Sequence, residues 1–481
     1  MVLNLSPPTV DSVNWATLGH AYGPATDVPE YLALLESEEE SDRKNAFDAL
    51  YCTVYHQGTR YSASVAIVPF LVALAANPAV HGRDQLVGLL CNIALGDIRQ
   101  FLPRGVDIAS QRQEVERLQS LTIEDKEREF HKWVAASPNE WVQQLRMSER
   151  KYFEKRHLEL EISLAAYDAV KDKALSTFCE FLRQDSDARA REAAAHAVAF
   201  FPESSHKTLP LLRPIVFQDE SSGENIPEGI LATAIVSYVL LLSTSLPSSP
   251  ATTDDRAIVE QKLHYFLSHQ SPVLRWAAAI GLSRLSIVDP LVLATLASTV
   301  TTPPEAVPKI SFYFGGIGNY ALESLEAACK ARSTPVLALK SSLAALLDVL
   351  ARPNCDKYDI ILFTCCALLW PTPQDSPFNQ DPPTRYEDLA SEEQRRFFKA
   401  MAESRPTREE GPEGLEARTT WNLPADRDAY RRYVGLPEEG PYGRVVITWR
   451  EQEEEEWKSC GCWMAIKSLT ATYRKRWGTP A

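Results

Sequence analysis

His56, Gln57, Thr59 and Tyr61 crowd one polar stretch, YHQGTRY, between two apolar runs, and His20 and Tyr22 stand in a second, GHAYG. An imidazole with a pKa near neutrality can take or give a proton at physiological pH, so His56 is the residue through which such a cluster would act as acid or base. The same stretch also reads as a tight turn between helices. Gly58 supplies a special backbone dihedral, and the hydroxyls cap a helix start. Of the two readings the turn takes precedence; the other gathers residues from two loops into one recognition site.

Other reactive side chains point less far. Cys460 and Cys462 flank Gly461 in KSCGCW, a one-residue gap where zinc sites usually leave two to four, and no histidine follows His269. Cys365 and Cys366 lie in the apolar run ILFTCCALLW and read as core. FGGIGN at 314–319 has the glycines of a phosphate loop without its lysine and hydroxyl pair, so it reads as a turn in an inserted loop, ISFYFGGIGNY. The acidic EQEEEEW and basic YRKRW segments balance each other near the C-terminus. No residue is assigned a catalytic role, and no metal or cofactor is expected.

The elements that position these residues are helical. Ala46, Phe47, Leu50, Tyr51 and Val54 trace one stripe of an amphipathic helix, and Leu86, Leu89, Leu90, Ile93 and Ala94 mark another stopped by Gly96. Between them, Pro69 predicts a break, with one short helix ending near Val68 and a second starting at the proline. A charged stretch over 97–158 reads as a helical insertion. Within it Trp133 and Trp141 fall near one helix face and are candidate binding residues. PTPQDSPFNQDPPTRYEDL, near 371–390, reads as a proline-rich linker or an extended packed segment. Beyond it, Ser391 followed by Gln394 predicts a capping box, GRVVITW a strand, and 462–477 a last helix.

An internal echo organises the middle of the chain. DSDARAREAAAHAVAFF superposes without gaps on HQSPVLRWAAAIGLSRL, setting Arg191 on Arg275 and the alanines 193–195 on 277–279. Half the offset lies within the ~40–47-residue period of helix-pair repeats, and the apolar run Ile230–Leu242 stands halfway.

WATLGHAYGPATDVPEYLALL, YHQGTRYSASVAIVPFLVALA and AAYDAVKDKALSTFCEFLRQDSDARAREAAAHAVAFFPE together resemble bacterial and fungal HEAT-repeat domain-containing proteins over roughly residues 13–350. The HAYG and HQGT-x-Y-x-AS strings carry most of that resemblance. It implies an all-α, HEAT/armadillo-like solenoid of stacked helix pairs, with Asp185 and Arg191 linking successive turns, and no established activity. Enzymes do occur on such folds, but deoxyhypusine hydroxylases need His-Glu pairs, which this chain lacks.

Charge and length bound the partners. With 64 acidic and 50 basic side chains among 481 residues, the net charge of −14 disfavours a general nucleic-acid binder. That alternative needs a local basic face among Arg99, Arg104, Arg146, Arg150, Lys151, Lys155 and Arg156. No lysine or arginine precedes Arg43, and the longest apolar run is too short to span a bilayer. The expectation is therefore a cytoplasmic or nuclear monomer without membrane contact, with a solenoid over 13–370, a linker over 371–390 and a C-terminal segment over 391–481. Its function would be that of a non-catalytic scaffold for a protein or peptide, the alternative being an enzyme or small-ligand binder near His20 and His56. Metal analysis of the purified protein is expected to find no stoichiometric zinc; one zinc per chain would restore a role for Cys460 and Cys462.

Overall fold

A computed structural model describes residues 9–96, 105–137, 140–184, 187–218, 226–244, 253–302, 304, 317–330, 343–351, 358–370, 372–403 and 418–437, apart from Ala345, Thr419, Ala425 and Asp426. Helix dominates, and neighbouring helices pack on one another. The chain divides into two compact units. Among the described residues the first holds 9–96 and 106–201, and the second Gly105 and the residues from Pro202 on. No described helix is long and apolar enough to cross a membrane.

The first unit opens with α1 (Val28–Leu34) and α2 (Glu40–Thr53), which pack together, followed by α3 (Ser62–Ala76) and α4 (Arg83–Leu95). α3 is continuous through Pro69, which corrects the expected break. A proline inside a helix costs ~3 kcal/mol through its missing N–H and its clash with the preceding turn. Ile67, Val68, Phe70, Leu71 and Val72 are all buried around it, and each such side chain contributes ~1.5–3 kcal/mol. Packing therefore outweighs the local penalty. The second unit repeats the case with Pro210 and Pro214 inside the helix Ser205–Val216.

α5 (Ile108–Ser120), α6 (Ile123–Ala135) and α7 (Glu140–Ser148) fill the charged stretch, and α8 (Arg150–Gln184) then runs 35 residues without interruption across position 158. At 1.5 Å per residue α8 spans ~52 Å. Its character changes along that length. From Ala166 to Leu182 it buries Tyr167, Val170, Phe178 and Phe181, packing on α3 and α4, whereas most of its first half stays partly exposed. Arg112 of α5 ties in through a forked pair with Asp168 at 2.8 and 2.6 Å, and that pair, with Lys171, holds the Asp168 carboxyl below its ordinary range.

The echoed segments become α9 (Ala188–Ala197) in the first unit and Pro272–Arg284 in the second. All six alanines are buried. At Gly281 a Cβ would meet Leu263 and Val239 at 3.2 Å, so a glycine here lets three helices approach closely. Arg275 donates to the carbonyls of His269 and Gln270 at 2.8 and 2.7 Å, fastening the preceding turn to its helix. Arg43 makes the same pair of bonds, to Ser37 and Glu38, also at 2.8 and 2.7 Å. Asp185, the expected counterpart of Arg191, lies outside the described residues. The halfway run belongs to the helix Glu228–Thr244, buried at every position from Ala232 to Leu241, which packs on Pro272–Arg284.

In the second unit the end of ISFYFGGIGNY is helix, not loop: Ile317 begins the helix Ile317–Lys330, and Ile317 and Tyr320 are buried. The proline-rich segment folds into short 3-10 turns and packs. Ser376 donates to the Trp421 carbonyl at 2.6 Å, and the Phe378 and Tyr433 rings meet at 4.8 Å. The capping box forms as expected, with Gln394 N–H donating to Ser391 Oγ at 3.2 Å and Ser391 N–H to Gln394 Oε1 at 3.3 Å. GRVVITW, the 462–477 helix and the Cys460/Cys462 pair lie outside the described residues.

His196, near the end of α9, is buried edge-on against Phe200, and burial pushes its pKa down from 6.5 to about 3. The unfolded chain takes up this proton near pH 6.5, while the folded chain refuses it until about pH 3. The stability contributed by His196 is therefore complete above pH 6.5 and lost as pH falls through that window, at a slope of up to ~1.4 kcal/mol per pH unit. Chemical denaturation at stepped pH should show one proton less in this slope for His196→Leu than for the native chain.

Candidate functional site

Both polar stretches are two-residue hairpins. β1 (Gly19–His20) pairs with β2 (Gly23–Pro24), and β3 (Tyr55–His56) pairs with β4 (Thr59–Arg60). No strand was expected at either place. The second hairpin turns through Gln57 at φ 47° and Gly58 at φ 86°, the doubly left-handed conformation that suits a tight right-twisted hairpin. The α2–α3 connection is thus the tight turn that the sequence suggests, with Gly58 at a positive φ.

The two hairpins are brought together. Ala21 N–H donates to the Thr53 carbonyl at 3.0 Å, and Gly19 N–H donates to Ser62 Oγ at 2.9 Å. His20 is buried, with both ring nitrogens engaged. Tyr22 N–H donates to Nδ1 at 3.0 Å, so Nε2 carries the proton and donates to Asp27 Oδ1 at 2.9 Å. Burial works to raise the Asp27 carboxyl, but the hydrogen bonds from His20, from its own backbone N–H and from Tyr31 outweigh it and hold the group below its ordinary range. Burial and Asp27 together push Tyr31 up to about 12. The exposed Tyr22 ring meets His56 edge-on at 5.5 Å, with its hydroxyl 3.5 Å from His56 Nδ1. His20, Tyr22 and His56 therefore form one run of rings, with Gln57 exposed at its edge. Tyr61 lies further on, its hydroxyl raised chiefly by burial, with Lys155, Glu159 and a hydrogen bond to Thr59 as the remaining influences.

A groove lies elsewhere in the first unit. Of about 1150 Å³, it is lined at the start of α2, the end of α3, the start of α4, the end of α8 and the start of α9, so it sits at the ends of α2 and α3 opposite the β3–β4 hairpin. Neither it nor a second cavity of about 360 Å³ includes His20, Tyr22, His56, Gln57, Thr59 or Tyr61. Several of its charges face inward to the protein. Arg83, 6% exposed, donates from Nε to the Ala75 carbonyl at 2.7 Å and lies 4.5 Å over the Phe181 ring. Arg43 serves the carbonyls described above, and Asp187 caps α9. Lys44, Glu40 and Arg189 remain exposed on the rim. Burial raises the Asp48 carboxyl against the opposing charge of Lys44. The sequence reading passed over this groove. The one available signal was Arg43, which stands in its helix as Arg275 does in its own.

Trp133 packs in a different place, 5.4 Å from Phe153 and under the Arg146 guanidinium at 4.9 Å. The side chain of Trp141 lies outside the described residues. The basic residues of the insertion are largely balanced: Arg150 forms a forked pair with Glu127, and Lys155 meets Glu159 at 3.0 Å. Arg99 and Arg104 and the side chain of Arg156 lie outside the described residues. Among those described, no group of His, Cys, Asp and Glu is placed to hold a metal.

No protein-family model matches the chain, and no curated protein matches it. Among solved structures, the crystal structure of an engineered protein is similar at 17% identity, covering 79% of this chain and 88% of that one, with a TM-score of 0.28. At that score the likeness carries no argument.

The hairpin assembly depends on one glycine. Gly96, at φ 76°, accepts the Tyr55 hydroxyl at 3.3 Å, and a Cβ there would stand 1.9 Å from Arg60 Nη1 and 2.7 Å from the Gly58 carbonyl. Gly435 has nearly the same φ, 75°, in open space. Gly96→Ala should cost about 3 kcal/mol or more in a urea titration, against ~1 kcal/mol for Gly435→Ala. Equal losses would mean that backbone strain alone, without the close approach, sets the cost.

Proposed function

We propose that this chain is a non-catalytic scaffold, built as a HEAT-like α-solenoid, that binds a protein or peptide segment. The observation that carries this reading is the groove at the helix ends. It is open, it has room for several side chains, and its walls combine the ends of five helices with the α3–α4 connection, from Pro78 to Gly82. Rigid helix ends hold backbone and side-chain donors in fixed places, which suits a segment laid across them. The buried, alanine-rich helices at both echoed positions support the solenoid, because small side chains there allow successive helices to stack closely.

The hairpin rings support the same reading from the other side. His20 spends both nitrogens on Asp27 and the Tyr22 backbone, so it has none left for a substrate proton. Its interactions fasten a turn.

The test is affinity capture with groove variants that leave the fold alone. Lys44 and Arg189 are exposed on the rim. Lys44→Glu combined with Arg189→Glu should lose at least ~90% of a partner that the native chain and a His56→Ala variant both retain, which corresponds to about tenfold in affinity. Equal recovery by the groove variant, or loss by His56→Ala alone, would reverse the assignment.

A further inference from the structure

α2 carries a row of charges of alternating sign along the groove. Glu40, Lys44 and Asp48 stand one helical turn apart, and all three line it. Glu40 and Lys44 are exposed on the rim, whereas Asp48 lies deeper and is partly buried. Opposite charges four residues apart on a helix ordinarily pair with one another. These do not: none of the three makes a hydrogen bond or an ion pair with any described residue. Lys44 reaches Asp48 only as a nearby charge, and burial still raises the Asp48 carboxyl against it. Two further cations of the groove, Arg43 and Arg83, are engaged on backbone carbonyls. Among the described residues, nothing complements the row.

We propose that the groove takes an extended segment of a partner protein with the order basic, any residue, acidic, any residue, basic, whose charged side chains meet Glu40, Lys44 and Asp48. This rests on the groove being the binding site, and it names what that site selects. Four residues of helix advance ~6 Å along the axis. Two residues of an extended chain advance ~6.6 Å and set their side chains on one face, so alternate residues of the segment keep step with successive turns of α2. The charge order is the same read from either end, and it therefore holds for both directions of the segment. A helical partner is disfavoured, because helices bind by laying an apolar face into an apolar groove and this lining is mostly charged or polar. The basic residue that meets Asp48 should dominate, since a charge-assisted hydrogen bond gains strength away from open water.

Selection of random peptides displayed on phage, with the full chain as bait, tests this. The native chain should enrich the basic-x-acidic-x-basic order at least about tenfold over the unselected library. Asp48→Asn should abolish the basic preference at one outer position and leave the other two preferences. Lys44→Glu, at an exposed position where the fold is indifferent to charge, should turn the middle preference from acidic to basic. Peptides enriched without this order overturn the proposal while leaving the groove a binding site, and so does an order that stays the same in both variants. Charges selected three or four residues apart would assign a helical partner and overturn it too. A native chain that enriches no peptide at all overturns the scaffold reading along with it.

Discussion

Helices that are apolar on nearly every side must be covered on every flank, and the rest of this structure follows from that requirement. The helix Glu228–Thr244 is buried at every position from Ala232 to Leu241, and α4 is buried throughout from Leu89 to Leu95. Such helices have no free lateral face to offer a ligand. What remains accessible is their ends and the turns between them. Both polar assemblies of the first unit stand there: the ring cluster at the end of α2 and start of α3, and the groove at the opposite ends of the same two helices. Covering the flanks also explains how an internal proline is tolerated, since the packing of α3 is worth several times the bond that Pro69 removes.

Much of this was legible in the sequence because it is periodic or local. The stripes of α2 and α4, the stop at Gly96, the box at Ser391 and Gln394, and the buried alanines of the echo all rest on spacing within one element. The tight turn at Gln57 and Gly58 is local in the same sense. Pro69 was misread because the local rule was applied without the tertiary term that overrides it. The proline-rich segment has loop composition, and only its contacts with Trp421 and Tyr433, distant in sequence, make it part of a core.

The candidate site was legible in part. Proximity of His20 and Tyr22 to His56 was open from the sequence, and the structure brings them together. What the histidines do with their nitrogens was not legible, because Asp27 and the Tyr22 backbone carry no motif that pairs them with an imidazole. The groove was hidden for a different reason. Its wall residues come from five helices and the α3–α4 connection, scattered over the first unit, and several of them read as ordinary helix-end charges until the carbonyls they serve are seen.

α8 gives the first unit a mechanical property that its individual contacts do not. One half of the rod, from Ala166 to Leu182, is clamped among α3, α4 and α9 and tied to α5 through Arg112 and Asp168, and the other half meets α6 through Arg150 and Phe153. With hydrogen bonding unbroken along ~52 Å, there is no joint at which a push on the outer half can be absorbed. The rod is a cantilever, and its load is borne at its root, in the same layer whose helix ends wall the groove.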